Sequence, residues 1–335
     1  MLRGLREGIQ WLADPAAGIH GARNSGISQA RTRLGWEPLR QLHDEVVKPV
    51  AVATTKGAWY RAWRLVSLDG STLDVADEKG HRAAFGRPGA SRGASAYPQI
   101  RFVSLVENGT QVLFGSRMAD YATREVALAK TVLPSLGKGL LCLADRGFFG
   151  FEMWKQAQAT GADLLWRVKQ NMRLACEQRL PDGSYRSRIY PSERDWRHKT
   201  NGILVRVIEY RLEGVEGAEP LYRLATTILD PEQAPAAALA ALYHERWEIQ
   251  SALDELKTHL RGARLVLRSK TPDLARQEFY GLRMAHFAVR GLMQEAALSA
   301  DEDPDRLSFL HAVRVVRRKR AVFGAIPPWG PRSVP

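Results

Sequence analysis

The run Gly139-Leu140-Leu141-Cys142-Leu143-Ala144 constrains this chain more than any other stretch. An apolar run this short suits a strand buried on both faces, which means a sheet covered by helices. It ends at Asp145. The neighbouring segments agree: helices are predicted over about Thr123 to Leu136 and Gly150 to Thr160, and Asp163 to Val168 reads as a further strand. Upstream, Trp63 to Leu68 predicts a strand ending at Asp69-Gly70. Ile100 to Val106 and Gln111 to Phe114 predict a hairpin turning at Asn108-Gly109. Three strands, then helix, strand, helix, strand define a mixed α/β class.

The flanks have other patterns. Residues 1–60 read as short helices, a helical N-terminal region and a shortened DNA-binding part. Ser28 is expected to cap Gln29 to Leu34, Gly35 to turn the chain, and Pro38 to open a helix over Leu39 to Val47. This suits either a helix-turn-helix or a plain helical hairpin. The core is expected over 61–169. A β-rich insertion follows over 170–228, with turns at Asp182-Gly183 and Asn201-Gly202. Its Arg173, Arg179, Arg186, Arg188, Arg194, Arg197 and Lys199 are interleaved with Tyr185, Tyr190 and Trp196. That mixture suits a phosphate backbone and unpaired bases, or equally a β subdomain with a solvated basic face. Core completion is expected over 229–320, beginning with a long helix from Pro231 to Leu260 capped by Asp230 with Gln233, and a tail over 321–335. The C-terminal helices carry the run Arg317-Arg318-Lys319-Arg320.

Composition narrows the function. The 335 residues hold 49 Lys and Arg against 36 Asp and Glu, a net charge of +13 that favours a polyanionic partner. With 45% apolar residues the chain can build a sizeable core. No stretch approaches the ~18 apolar residues of a membrane span. Charges in Leu2-Arg3-Gly4-Leu5-Arg6-Glu7 break any signal-peptide core. Cys142 and Cys176 cannot form a disulfide framework or a Cys-rich zinc site, and His81, His198, His244 and His259 lack ligand pairing. A cytoplasmic, nucleoid-associated protein is expected.

Two aspartates stand at predicted strand ends, Asp69 and Asp145, where ligands of α/β sheets gather. Neighbouring carboxylates repel unless a cation lies between them, and Mg²⁺ (or Mn²⁺) is the usual hard-oxygen partner facing phosphate. On a helical wheel with Tyr243 at zero, Arg246, Lys257, Gln250 and Asp254 fall between about −60° and +20°. Leu242, Ile249, Leu253, Leu256 and Leu260 fall at about 220–280°. A narrow polar stripe thus borders the apolar one. It reads as a site edge, or as surface residues with an Asp254–Lys257 ion pair.

These residues resemble the DDE transposases of bacterial insertion sequences, in the branch marked Tyr-x2-Arg-x3-Glu-x6-Lys. Tyr243, Arg246 and Lys257 match that spacing, and Leu68-Asp69-Gly70-Ser71-Thr72, Phe85-Gly86-Arg87-Pro88-Gly89 and Leu143-Ala144-Asp145-Arg146-Gly147-Phe148-Phe149-Gly150 extend the match. The resemblance implies a ribonuclease-H-like mixed sheet flanked by helices, with a β insertion before the final helix. It implies that Asp69 and Asp145 bind Mg²⁺ (or Mn²⁺) and that Tyr243, Arg246 and Lys257 contact DNA, with Arg146 and Trp196 as further contacts. It implies cut-and-paste transposition on double-stranded DNA, at transposon terminal inverted repeats and target DNA, by a homodimer. The third acid of the family belongs at position 250, where this chain has Gln250. An amide brings no negative charge, so impaired strand cleavage with retained DNA affinity is expected. A non-catalytic DNA-binding relic or regulator is the alternative. Asp254, one turn on, is the nearest substitute acid, and Glu248 lies about 140° away. A phosphatase of the haloacid dehalogenase type would need an Asp at position 71, where Ser71 stands.

Overall fold

A computed structural model of the chain describes residues 24–89, 97–212, 219–259 and 266–323. Among the described residues eleven strands join one sheet. They are β1 (Trp59–Tyr60), β2 (Trp63–Val75), β3 (Gln99–Glu107), β4 (Val112–Asp120), β5 (Leu140–Ala144), β6 (Asp163–Arg167), β7 (Gln178–Arg179), β8 (Tyr185–Ile189), β9 (Ile203–Tyr210), β10 (Tyr222–Thr226) and β11 (Val266–Leu267). The main path is β4-β3-β2-β5-β6-β10-β9-β8-β7. The helices are α1 (Asn24–Leu34), α2 (Glu37–Val46), α3 (Lys79–Phe85), α4 (Glu125–Lys130), α5 (Phe151–Gln158), α6 (Glu193–His198), α7 (Ala236–Leu242), α8 (Glu248–Asp254), α9 (Pro272–Ala300) and α10 (Phe309–Phe323). This is the expected mixed α/β class, a large mixed sheet flanked by helices.

The buried run forms β5, with Leu141, Cys142, Leu143 and Ala144 all fully buried. Alternation sends Cys142 and Ala144 towards Leu128 and Ala129 of α4 and Met153 and Trp154 of α5. Leu141 and Leu143 face Leu239 of α7 and Tyr243. The strand is apolar throughout because both sheet faces are covered.

Four points correct or refine these expectations. First, β2 does not end at Asp69: it runs on to Val75, because Gly70 to Asp74 keep pairing antiparallel with Val103 to Gln99 of β3. Asp69 is therefore mid-strand. Second, the segment expected as a β-rich insertion over 170–228 supplies β7 to β10, and β10 pairs antiparallel with β6, so its strands extend the same sheet. Third, the long helix over 231–260 is broken. It starts at Ala236, passes through a 3-10 turn at Tyr243–Trp247, resumes as α8, and ends in a π turn at Glu255–His259. Leu260 lies outside the described residues. Asp230 does not cap this helix: the Ala236 N–H donates to Asp182 Oδ2 at 2.8 Å, and Asp182 also pairs with the fully buried Arg206. Fourth, Ser28 lies inside α1 rather than at its cap, and the helix expected over Thr123 to Leu136 is α4 plus a 3-10 turn over Leu133–Ser135.

Gly35, at φ 71°, turns between α1 and α2, and the helical pair is tied to α9. Gln277 donates from Nε2 to the Arg31 and Gly35 carbonyls at 2.7 and 2.5 Å. Further along α9, buried Arg283 donates from Nε to Ser116 Oγ at 2.9 Å on β4 and also bonds Ser104 on β3. Burial lowers its pKa to about 9.

Asp182→Ala is expected to destabilise the fold by about 3 kcal/mol, because it strands the buried Arg206 and uncaps α7. Urea unfolding checks this. Burial also lowers the pKa of His43 and His286 to about 4 from 6.5. Below pH 6.5 the unfolded chain takes up protons that the folded chain refuses, so stability falls as pH drops from 6.5 towards 4. His286→Gln is expected to flatten that loss in unfolding midpoints measured across the window.

Candidate active site

Parallel pairing of β2 with β5 ends at Leu68 opposite Ala144, so the next residues, Asp69 and Asp145, stand side by side. Asp69 accepts from its neighbour's Gly70 N–H at 2.8 Å through Oδ1, and its side chain is 19% exposed. Asp145 accepts from the Gly147 N–H at 2.8 Å through Oδ1. A Cβ at Gly147 would stand 2.9 Å from that oxygen, so a side chain there would crowd the carboxylate. Buried Phe148 and Phe149 anchor the loop that follows.

The 3-10 turn brings the opposite charge. Tyr243 is buried and its hydroxyl donates to the Ala144 carbonyl at 3.2 Å, pinning the end of β5. Three residues on a 3-10 turn eclipse, and the Arg246 guanidinium lies 5.8 Å from the Tyr243 ring centroid. Its Nη1 is 3.7 Å from Asp69 Oδ2. Burial raises the Asp69 pKa and Asp145 adds to the rise; the Gly70 N–H, Arg246 and Lys257 oppose it. Lys257 is half-buried, which lowers its pKa against the pull of Asp254, Asp69 and Asp74.

Two carboxylates, each fixed by one backbone N–H, suit a hard divalent ion in kind. Among the described residues no group of three or more His, Cys, Asp or Glu is assembled as a metal cage.

The family model for the transposase DDE domain matches residues 63–288, well over half of the chain. The chain belongs to the DDE transposase family. It is 26% identical over 300 residues to the transposase InsG for insertion sequence element IS4 of Escherichia coli K12, covering 88% of this chain and 66% of that protein. It is also 26% identical over 167 residues to InsZ of the same organism, covering 49% of this chain and 56% of InsZ. The chain thus spans under two thirds of these relatives. A piggyBac transposase synaptic complex with hairpin DNA superposes with a TM-score of 0.45 and 13% identity, over 81% of this chain and 58% of that one.

In this DDE-family chain the structure gathers Asp69, Asp145, Tyr243, Arg246 and Lys257. Gln250 is exposed on α8, and no described contact joins it to either aspartate. Asp254 is exposed and accepts from Thr258 Oγ1 at 2.9 Å. Glu248 turns elsewhere, accepting from the Gly109 N–H in the β3–β4 turn. Arg146 donates to Glu219 Oε1 at 2.8 Å, as does Arg167 at 2.6 Å. Trp196 sits on α6 with Lys199 Nζ 4.9 Å and Arg173 Cζ 5.6 Å from its ring. The preceding strand β8 lies four strand spacings from β5, about 19 Å at ~4.8 Å each. Of the basic run, Arg317, Arg318 and Lys319 are exposed.

Sequence reasoning missed Glu125, at the start of α4. Burial raises its pKa, and Asp69 and Asp145 add to the rise. The only sequence signal was an acid opening the helix before β5. It also missed Glu219, where Arg146 and Arg167 meet.

Tyr243→Phe is expected to cost about 1 kcal/mol by losing the bond to Ala144. Comparing unfolding free energies of the two proteins checks it.

Proposed function

We propose that this chain is a transposase that acts on transposon terminal inverted repeats and joins them to target DNA. The juxtaposition of Asp69 and Asp145 beside Arg246 and Lys257, within a chain of net charge +13, carries this reading. The relatives' names support it. A divalent ion held by Asp69 and Asp145 would stabilise charge on the attacked phosphate and on the leaving oxygen. Arg246 and Lys257 then neutralise and orient that phosphate. Water adds to phosphorus and the 3′-oxygen leaves with the bonding pair. The freed 3′-hydroxyl attacks the phosphodiester of the opposite strand and expels the flanking 3′-oxygen, closing a hairpin; a second water opens the hairpin and frees the 3′-hydroxyl again, which attacks a target phosphodiester and expels the target's 3′-oxygen. Arg146 exchanges Glu219 for backbone phosphate, and Trp196 offers a stacking face for a displaced base. Two ends must meet, which calls for a homodimer on DNA in the bacterial cytoplasm.

Gln250 supports a slow enzyme, because an amide cannot act as a carboxylate towards the attacking water. A duplex ending in the element's inverted repeat tests this in Mg²⁺ or Mn²⁺. Gln250→Glu is expected to nick about 100-fold faster than the unmodified chain, and Asp145→Asn not at all, with all three binding the duplex. Equal rates for the unmodified chain and Gln250→Glu would overturn the impairment. Undiminished nicking by Asp145→Asn would overturn the site. Metal-independent, end-specific binding with no nicking by any of them would instead establish a DNA-binding regulator, the reading that Gln250 also favours.

A further inference from the structure

The row of strand ends that holds Asp69 and Asp145 runs one strand further. Leu68 of β2, Ala144 of β5 and Trp166 of β6 pair in register, and all three lie in the layer covered by α4 and α5. The next residues, Asp69, Asp145 and Arg167, follow them at the same level. Alternation turns Asp69 and Arg167 to the other face of the sheet. Leu224 of β10, which pairs with Arg167, packs in the same layer as Tyr243 and confirms that face. The two carboxylates thus have a guanidinium on either side, Arg246 next to Asp69 and Arg167 one strand beyond Asp145.

Arg167 belongs to a seat built for a pair of anionic oxygens. Its Nη2 donates to Glu219 Oε1 at 2.6 Å, Arg146 Nη1 donates to the same oxygen at 2.8 Å, and Gln170 Nε2 donates to Oε2 at 2.9 Å. The donors are braced from behind. The Arg167 guanidinium lies 4.6 Å from the Tyr222 ring centroid, and Tyr222 stacks on Tyr210. Arg223 donates to the Lys169, Gln170 and Met172 carbonyls at 3.0, 2.6 and 3.0 Å, which holds the loop that bears Gln170.

The occupant comes from elsewhere in the chain, just ahead of β10, where the Glu219 N–H donates to the Tyr222 hydroxyl at 3.1 Å. Water reaches the contact: Arg146 is exposed and the Glu219 side chain is 24% exposed. Ion pairs with such access are weak. A DNA strand brings a series of phosphates and releases counterions as they are neutralised. Each phosphodiester offers two charged oxygens to guanidinium donors, as a carboxylate does. Glu219 therefore stands where a backbone phosphate would, on the Asp145 side of the two acids.

We propose that Arg146, Arg167 and Gln170 form a seat for a backbone phosphate of the DNA strand that crosses Asp69 and Asp145, and that Glu219 fills this seat in the free protein and competes with DNA for it. This rests on the reading of the chain as a transposase. It assigns Arg167 and Gln170 to DNA, and it makes Glu219 a brake on weak, unproductive contacts with DNA, since only a strand that fits the whole site displaces it.

Binding without metal or turnover tests this. A fluorescein-labelled duplex ending in the element's inverted repeat is titrated with the full chain in EDTA, and anisotropy is read over a series of salt concentrations. Glu219→Gln is expected to bind about tenfold tighter than the unmodified chain, while Glu295→Gln, at an exposed position of α9, changes affinity less than about twofold. Arg167→Gln is expected to weaken binding about tenfold and to lower the salt slope by about one. Gln170→Ala, at an exposed position where folding is untouched, is expected to weaken binding about threefold. Combined with Arg167→Gln, Glu219→Gln is expected to lose most of its gain, because the two act through one seat. If Glu219→Gln binds no tighter than Glu295→Gln, the competition is overturned while the transposase reading stands. If its gain persists undiminished beside Arg167→Gln, Glu219 acts only through the overall charge and the seat is overturned. Unchanged binding by both Arg167→Gln and Gln170→Ala would also overturn it. If neither the unmodified chain nor any variant binds the duplex, the transposase reading itself fails and the seat falls with it.

Discussion

The pairing of β2 with β5 holds this molecule's chemistry in place. Five residue pairs, from Arg64 with Leu140 to Leu68 with Ala144, fix the register. A slip of one residue would exchange the two faces of β5, sending Leu141 and Leu143 to the wrong layer. The apolar layers on either side therefore enforce the register, and the register places Asp69 beside Asp145. The Tyr243 hydroxyl reads the same register from outside the sheet, since its acceptor is the last carbonyl of β5. The chain spends its most buried strand on aligning two carboxylates.

That alignment sets acids together in a basic protein. Asp69 is mostly buried, and burial is the largest influence raising its pKa. The compensation is local: one backbone N–H, one guanidinium at 3.7 Å and one half-buried ammonium. Glycines make room at the two aspartates. Gly147 gives the Asp145 carboxylate its space, and Gly70 admits Glu125. The chain as a whole is basic, at a net charge of +13, so the two aspartates form a small acidic spot whose charge is opposed locally by Arg246 and Lys257.

The sequence made the strands of the first half legible because their burial is local and uniform. A strand as apolar as β5 has no alternative reading, and the β3–β4 hairpin follows from Asn108-Gly109. The end of β2 was hidden for the opposite reason. Gly70, Ser71 and Thr72 look like a turn, but β3 supplies partners as far as Gln99, and pairing outweighs local propensity. The continuity of the insertion with the sheet was equally hidden, since the match of β10 to β6 joins residues about sixty positions apart. The two aspartates and the motif side chains could be named from spacing. The packing of Glu125 against the strand could not, because it depends on an empty Cβ position at Gly70, 55 residues earlier.

The broken helix explains why the motif reads correctly at some positions and not at others. A continuous α-helix advances ~100° per residue, whereas a 3-10 turn advances ~120°. From Tyr243 to Arg246 the tighter winding completes one full turn, so the guanidinium stacks over the phenol and both reach the strand ends. Crossing the four steps of the 3-10 segment adds about 80° to everything that follows. Gln250, placed by a uniform wheel on the polar stripe, is carried round to solvent, and the following α segment keeps that offset. The π turn at Glu255–His259 winds more loosely and takes back part of the rotation, which returns Lys257 to the field of Asp69. The same changes of winding that aim Tyr243, Arg246 and Lys257 inward thus turn residue 250 towards solvent, at the rim of the site.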